Sequence, residues 1–227
     1  MTKQPDEQSR QAGGFKTQQE QFWAGEFGTD YIERNRGAFS IASNLAFFSR
    51  ALKQTSGIDS CIEFGANIGL NLRALRQLLP SAALSAIEIN GDAARALSEW
   101  LSSSGGGGGG GGGEITQASI LDWRPTGTFD LALIKGVLIH IAPDHLPVVY
   151  ENLYQASHRY ILIAEYYNPT PVTVPYRGHT DRLFKRDFAG DMLDRYADLA
   201  LVDYGFVYHR DAMFPQDDMT WFLLQRT

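Results

Sequence analysis

A single cysteine, Cys61, is the whole thiol content of these 227 residues. One cysteine excludes an internal disulfide and a cysteine-based metal cluster, and its place in an apolar run marks it as core rather than nucleophile. Long apolar runs are missing too: no stretch approaches the roughly 18 uninterrupted apolar residues that a membrane span needs, so no membrane partner is expected. Positive charge is short, with 20 Lys+Arg against 26 Asp+Glu and a net charge of −6. That balance argues against the broad basic surface of a general nucleic-acid binder. His, Asp and Glu show no ligand spacing such as H-x-x-x-H, so nothing calls for a metal. The first residues are polar and lack a secretory apolar core, which leads to the expectation of a cytoplasmic protein. What remains is 44% apolar and 12% aromatic, the composition of a globular chain long enough for one α/β domain with a substantial core. The oligomeric state is left open between monomer and homodimer.

Residues 1–14 are polar and read as a disordered tail; 15–227 read as one domain. Within it, 15–54 form an N-terminal helical extension. A helical segment runs around Gln18 to Glu26, Gly28 breaks it, and Tyr31 to Asn35 follow. A longer amphipathic helix over 37–54 places Phe39, Ile41, Leu45, Phe48 and Leu52 on its apolar side. From residue 58 strands and helices alternate, with strands near 58–64, 83–89, 114–119, 129–135 and 159–165. That order implies a parallel sheet with right-handed crossovers. Leu199 to His209 and Met219 to Gln225 predict an antiparallel hairpin at the sheet edge. Nine glycines at 105–113, after Ser102, Ser103 and Ser104, make 102–113 a flexible surface loop. The run lacks the lysine and the following helix of a P-loop.

The richest segment is Cys61-Ile-Glu-Phe-Gly-Ala-Asn-Ile-Gly-Leu-Asn71. An apolar run ends in an acid, and glycines spaced G-x-N-x-G lead into a helical pattern carried by Leu70, Leu72, Leu75 and Leu78. This is the end of a first parallel strand, a tight turn, and a helix whose N-terminus faces a ligand. Nineteen residues after Gly69, Glu88 stands near the end of a second strand-like run, where a carboxylate can accept both hydroxyls of an adenosine ribose. A dinucleotide site wants G-x-G-x-x-G for close approach of the pyrophosphate; here Asn67 holds the middle position and Leu70 replaces the third glycine. Glu63 sits badly beside a pyrophosphate but suits an ammonium group, directly or through water. These details favour S-adenosylmethionine. Gly65, Ala66, Asn67 and Gly69 would line it, with Glu88 and Ile89 at the ribose. The alternative is an ordinary strand-to-helix turn with a capping Glu.

After the third strand comes Ala118-Ser119-Ile120-Leu121-Asp122. Ser119 and Asp122 both qualify to hold an adenine beside Ile120, and sequence does not choose between them. The fourth strand runs Phe129 to Lys135 and continues Gly136-Val-Leu-Ile-His140-Ile141. Lys135 and Gly136 fall at its ligand-facing end. His140 is a candidate base, or a hydrogen-bonded structural histidine. Beyond the fifth strand, Arg177, Arg182, Lys185 and Arg186 supply four of the twenty cationic side chains within ten residues, with His179 among them as a second candidate base. This basic segment suits an anionic acceptor, or is a solvated loop paired to Asp181 and Asp187. Tyr166 and Tyr167 either wall the acceptor or pack in the core. Trp23, Tyr31 and Arg34 either belong to a lid over the cofactor or pack as an aromatic core stripe.

The succession Glu-x-Gly-x-Asn-x-Gly, the second-strand acid, Ser-Ile-Leu-Asp and Gly-Val-Leu-Ile-His-Ile resembles the class I S-adenosylmethionine-dependent methyltransferases. More narrowly, three blocks resemble the methylases associated with pseudaminic acid biosynthesis: Phe22-Trp23 through Tyr31, Arg34 and Asn35; Glu165-Tyr-Tyr-Asn-Pro-Thr-Pro171; and Tyr176-Arg-Gly-His through Phe188-Ala-Gly190. The resemblance runs from Gln19 to Arg226 apart from the polyglycine. It implies a Rossmann-like seven-stranded sheet with helices on both faces, a final antiparallel strand and an N-terminal helical extension. It also implies methyl transfer in the company of nonulosonic sugar pathways. The acceptor class comes from the basic segment instead, which suits a small anionic acceptor such as a carboxylated sugar, a nucleotide-sugar or a phosphate ester. Two rival readings are a cofactor-binding partner without activity of its own and an NAD-dependent sugar-modifying enzyme, the latter disfavoured by Asn67 and Leu70.

Overall fold

The computed structural model describes residues 14–29, 38–104, 112–176 and 179–227, without the side chains of 38–40, 104 and 179–181. The expectations for Tyr31, Arg34 and Arg177, for the tail before Gly14 and for the side chain of His179 lie outside these residues.

Strands β1 (Ser60–Phe64), β2 (Ala83–Glu88), β3 (Ile115–Gln117), β4 (Phe129–Lys135) and β5 (Ser157–Glu165) are the apolar runs. All but the edge strand β3 are largely buried, on both faces, which is why they read as continuous rather than alternating. With β8 (Leu199–Val207) and β9 (Met219–Arg226) they form a seven-stranded sheet in the order β3-β2-β1-β4-β5-β9-β8. The pairs among β1 to β5 are parallel, whereas β9 runs antiparallel to both β5 and β8. The fold is therefore the Rossmann-like α/β sheet expected, with its one reversed strand.

Period-two alternation splits the core in two. Ile62, Phe64, Ala132, Ile134, Ile161 and Ile163 face α5 (Leu146–Ala156) and α6 (Phe188–Arg195). Cys61, Leu84, Leu131, Leu133 and Leu162 face α2 (Ala38–Ala51) and α3 (Leu70–Leu78). The helix over 37–54 thus ends earlier than its apolar stripe suggests. Phe47, Phe48 and Ala51 are buried while Ile41 and Leu45 stay partly exposed. The short N-terminal helix α1 (Gln18–Ala24) starts in a capping box between Thr17 and Glu20. Its break falls at Gly25, the cap residue, and not at Gly28, which lies inside a following helical turn at 26–29.

Two further departures have clear causes. Helix α4 (Gly91–Ser104) takes in the three serines assigned to the flexible loop. Ser102 and Ser103 bond back to the carbonyls of Ser98 and Trp100, satisfying their hydroxyls within the helix. Within the basic segment, residues 179–185 form a strand: β6 (Val172–Tyr176) and β7 (His179–Lys185) pair antiparallel, with Val172 opposite Lys185 and Tyr176 opposite His179. Charge concealed the alternation there. Val174, Tyr176 and Leu183 pack against the first core cluster.

At the opposite end of the sheet from the glycine turn, Asp130 ties three strands together. Its Oδ2 accepts from the Asp59 and Ser60 amides at 3.0 and 2.9 Å and from the Ser60 hydroxyl at 2.9 Å. Its Oδ1 lies 3.1 Å from His158 Nε2. Burial alone would raise this carboxyl, but the Ser60 hydroxyl, the Asp59 amide and His158 outweigh it and hold it below the usual aspartate range. A depressed folded pKa stabilises above the unfolded value, about 3.9, and that stability is lost as pH falls through the folded value. Asp130→Ala should therefore cost about 2–3 kcal/mol at pH 7 in a denaturant titration. The gap to wild type should narrow as pH drops below about 4.

Candidate functional site

The strand order reverses between β1 and β4, and the carboxyl ends of these strands open the crevice in which α/β sheets bind ligands. A cavity of about 610 Å³ lies there. Its walls come from the glycine turn, the ends of β2 and β4, the N-terminal helices, the β6–β7 hairpin and the β8–β9 connection.

The glycine turn owes its shape to backbone that ordinary residues avoid. Gly65 and Gly69 have φ of +75° and +76°, and Asn67 between them has φ +50°; asparagine is among the few side chains that tolerate this region. A Cβ on Gly65 would stand 2.7 Å from a methyl of Val137, so the turn needs glycine for packing as well as for conformation. Gly65 and Ala66 donate to the Ile87 carbonyl, which anchors the turn to β2. Glu88 completes it. Its Oε2 accepts from the Asn67 amide and its Oε1 from the Asn90 amide, both at 2.7 Å. Burial raises the Glu88 carboxyl, while these amides pull it back down.

Of the residues expected at the cofactor, Gly65, Ala66, Asn67, Glu88, Ile89, Ser119, Ile120, Lys135 and Gly136 line the cavity. Three expected residues do not. Gly69 is the turn's hinge into α3. Glu63 is fully buried behind the wall, with Oε1 accepting from Asn71 Nδ2 at 2.6 Å; Asn71 reaches the cavity in its place. Burial pushes Glu63 up to about 8 against the bond from Asn71 and the charge of Lys135. Asp122 is ion-paired with Lys16 away from the cavity. Of the two candidates Ser119 and Asp122, Ser119 lines the cavity and donates to the buried Glu20.

His140 sits in a short 3-10 turn at Leu138–His140, just past β4. It is buried and borders the cavity. Its Nδ1 lies 2.9 Å from the Arg182 carbonyl oxygen. A carbonyl only accepts, so Nδ1 carries the hydrogen and Nε2 keeps its lone pair. Trp23 and Tyr176 rings flank the imidazole at 4.8 and 5.3 Å. Burial lowers its pKa, partly opposed by the bond to Arg182, so the ring is neutral at pH 7.

The substrate-side residues divide. Trp23 and Tyr166 line the cavity; Tyr167, Arg182 and Lys185 do not. Arg182 bonds Gln18 at 2.9 Å and lies over the Phe22 ring. Lys185 stands over Tyr166, Tyr167 beside Phe222, and Arg186 pairs with Asp191 at 2.9 Å. Each of these cations has a partner within the protein: Gln18 and Phe22 for Arg182, Tyr166 for Lys185 and Asp191 for Arg186. Among the described residues the cation at the cavity is Lys135. Burial lowers its pKa against the charges of Glu63, Asp217 and Glu165.

Several lining residues went unread in the sequence: Ser43 and Asn44 of α2, Asn90, and Gln216 and Asp217 between β8 and β9. Only Asn90 carried a usable signal. It precedes Gly91-Asp92 as a helix cap, with Oδ1 accepting from the Asp92 and Ala93 amides at 3.1 Å. Its Nδ2 reaches the Thr29 hydroxyl at 3.3 Å, fastening the N-terminal helices over the end of β2.

No protein-family model matches the chain, and no curated protein matches it in sequence. Solved structures do match in fold. Mitomycin 7-O-methyltransferase superposes with a TM-score of 0.65 at 15% identity, over 93% of this chain and 61% of that one, less than two thirds of its length. Magnesium protoporphyrin IX methyltransferase from Synechocystis PCC 6803, with bound SAH, gives 0.63 at 13% identity, over 92% and 98%. A SAM-dependent methyltransferase of Leishmania major gives 0.66 at 15%, over 91% and 81%. At such identities the likeness is one of fold: this chain has the Rossmann-like sheet seen in class I S-adenosylmethionine-dependent methyltransferases.

Proposed function

We propose that this protein is an S-adenosylmethionine-dependent methyltransferase acting on a hydroxyl of a small acceptor, with His140 as the base. One observation carries the reading: a single cavity joins the amide-clamped carboxylate of Glu88, over the glycine turn, to a neutral imidazole with a free Nε2 lone pair. The cavity's own residues fit that cofactor. Gly136, at φ +69°, has nothing within 4 Å of the place a Cβ would occupy, so no side chain fills the space over the end of β4. Asn71 Oδ1 is buried without a hydrogen-bond partner among the described residues, an acceptor suited to an ammonium group. Glu88 would accept from ribose hydroxyls, and Ser119 with Ile120 would border the adenine.

When bound, S-adenosylmethionine supplies a methyl already electrophilic on its sulfonium. The protein's share is alignment and exclusion of water. Trp23, Tyr166, Tyr176 and Leu183 give the far end of the cavity apolar walls, and His140 Nε2 takes the proton of the acceptor's hydroxyl. An anionic acceptor, whether a carboxylated sugar, a nucleotide-sugar or a phosphate ester, would meet Lys135 as its counter-ion in place of the basic hairpin. The sequence blocks resembling the pseudaminic acid-associated methylases support a setting in nonulosonic acid or related glycan or natural-product biosynthesis. Calorimetry with S-adenosylhomocysteine against NAD tests the core of this proposal. Micromolar binding of the thioether without binding of NAD is expected, and the reverse would refute it.

A further inference from the structure

We infer that Glu165 is the positioning residue for His140, a buried carboxylate on the neighbouring strand that holds the main chain of residues 137–139 and thereby sets where the imidazole stands. The inference rests on the reading of His140 as the base. Glu165 ends β5 and is 2% exposed. Its Oε1 accepts from the amides of Val137 and Leu138, each at 2.9 Å, and its Oε2 faces the Ile139 amide at 3.5 Å. Three successive amides therefore converge on one side chain. They open the turn Leu138–His140, whose own cap residue, Val137, provides no side-chain bond. An orphaned turn start is ordinarily capped by a nearby Ser, Thr, Asp or Asn; here the cap comes from another strand.

The sheet fixes the position of this carboxylate. Lys135 pairs with Ala164 in the β4–β5 ladder, Gly136 donates to the Ala164 carbonyl at 2.9 Å, and Glu165 itself pairs with Thr220 of β9. The backbone of Glu165 is thus held from one side while its side chain reaches back across to the turn. An acid is a costly choice for a site this dry, and a leucine or isoleucine would fill the volume for less. Burial pushes Glu165 up to about 7, even with the amides of Val137, Leu138 and Ile139 and the charge of Lys135 acting to lower it. What the carboxylate does that no apolar side chain can is hold those amides. The ring is then trimmed by three other groups: the Arg182 carbonyl fixes Nδ1, and Trp23 and Tyr176 fix the ring plane. The main chain of the turn depends on Glu165.

The test compares wild type with E165A and E165Q, reading amide exchange at residues 137–139 and the imidazole nitrogen signals of His140 by NMR, in the protein without added ligand. E165A is expected to speed exchange at Val137 and Leu138 by about tenfold or more and to replace the single Nδ1–H tautomer of His140 by a mixture. E165Q keeps a side-chain oxygen able to accept both 2.9 Å bonds, so it should restore the tautomer and most of the protection. Wild-type exchange and ring signals in E165A would overturn the inference, as would an E165Q protein as disturbed as E165A. Should E165A fail to fold, E165D, which draws the carboxylate back by one carbon, gives the same reading: fast exchange at 137 and 138 supports the role and wild-type exchange refutes it. None of these signals needs a cofactor or an acceptor. Failure to bind S-adenosylhomocysteine would sink the methyltransferase reading without touching this result.

Discussion

Glu88→Ala is expected to weaken S-adenosylhomocysteine binding by about a hundredfold or more, measured by calorimetry. Two losses act together. The ribose loses a carboxylate that would accept both its hydroxyls, with hydrogen bonds to a charged group contributing about 1.5–3 kcal/mol each. The turn loses the acceptor for the Asn67 and Asn90 amides, both at 2.7 Å, so Asn67 has less to hold it at φ +50°. The second loss should also lower thermal stability, by about 1–3 kcal/mol. Glu88→Gln separates the two effects: its oxygen still accepts one amide, so stability should recover further than affinity does. Binding within about threefold of wild type in the alanine variant would show that Glu88 only braces the turn.

His140→Ala is expected to lower turnover by about 10²–10⁴ while leaving S-adenosylhomocysteine affinity unchanged, because the imidazole acts on the acceptor's proton and not on the cofactor. Radiolabelled methyl transfer to a panel of hydroxylated acids, nucleotide-sugars and phosphate esters supplies the assay. The pH profile provides a second readout. Burial lowers the His140 pKa, so the base stays free as pH falls past the ordinary imidazole value of about 6.5, and the acid limb should lie below it. The stability linkage has the same sign. A histidine kept neutral in the fold contributes stability above the unfolded value, and that stability is lost as pH drops toward the folded one. An acceptor methylated on an already ionised oxygen would show neither effect, and equal turnover by wild type and His140→Ala would remove His140 from the chemistry.

The site was legible where its parts are contiguous in the chain. Gly65, Asn67 and Gly69 advertise a positive-φ turn through residue type alone, and Glu88 follows at the end of the next apolar run, so both could be read without a third dimension. His140 was readable as a candidate, but not its state. The bond that fixes its tautomer comes from Arg182, 42 residues away, and the carboxylate beneath its turn comes from β5. Glu63 shows the reverse case: its place before the first glycine suggested contact with a ligand, whereas Asn71 intervenes. Arg182 and Lys185, expected at the acceptor, are a related case, because neither lines the cavity. Residue type conveys charge, but whether a cation faces a cavity depends on which partner it meets first, and Arg186 meets Asp191 while Lys185 meets the face of Tyr166.

The sequence by itself determined the alternation of strands and helices, the reversed final hairpin strand and the conformation of the glycine turn. Each of these follows from local rules: apolar period, turn residues and the steric freedom of glycine. Tertiary structure decided the capping of the His140 turn by Glu165 and the presence of Ser43, Asn44, Gln216 and Asp217 on the cavity wall. Those depend on hydrogen bonds and packing between segments far apart in the chain, and no local pattern in either segment encodes where the other will lie.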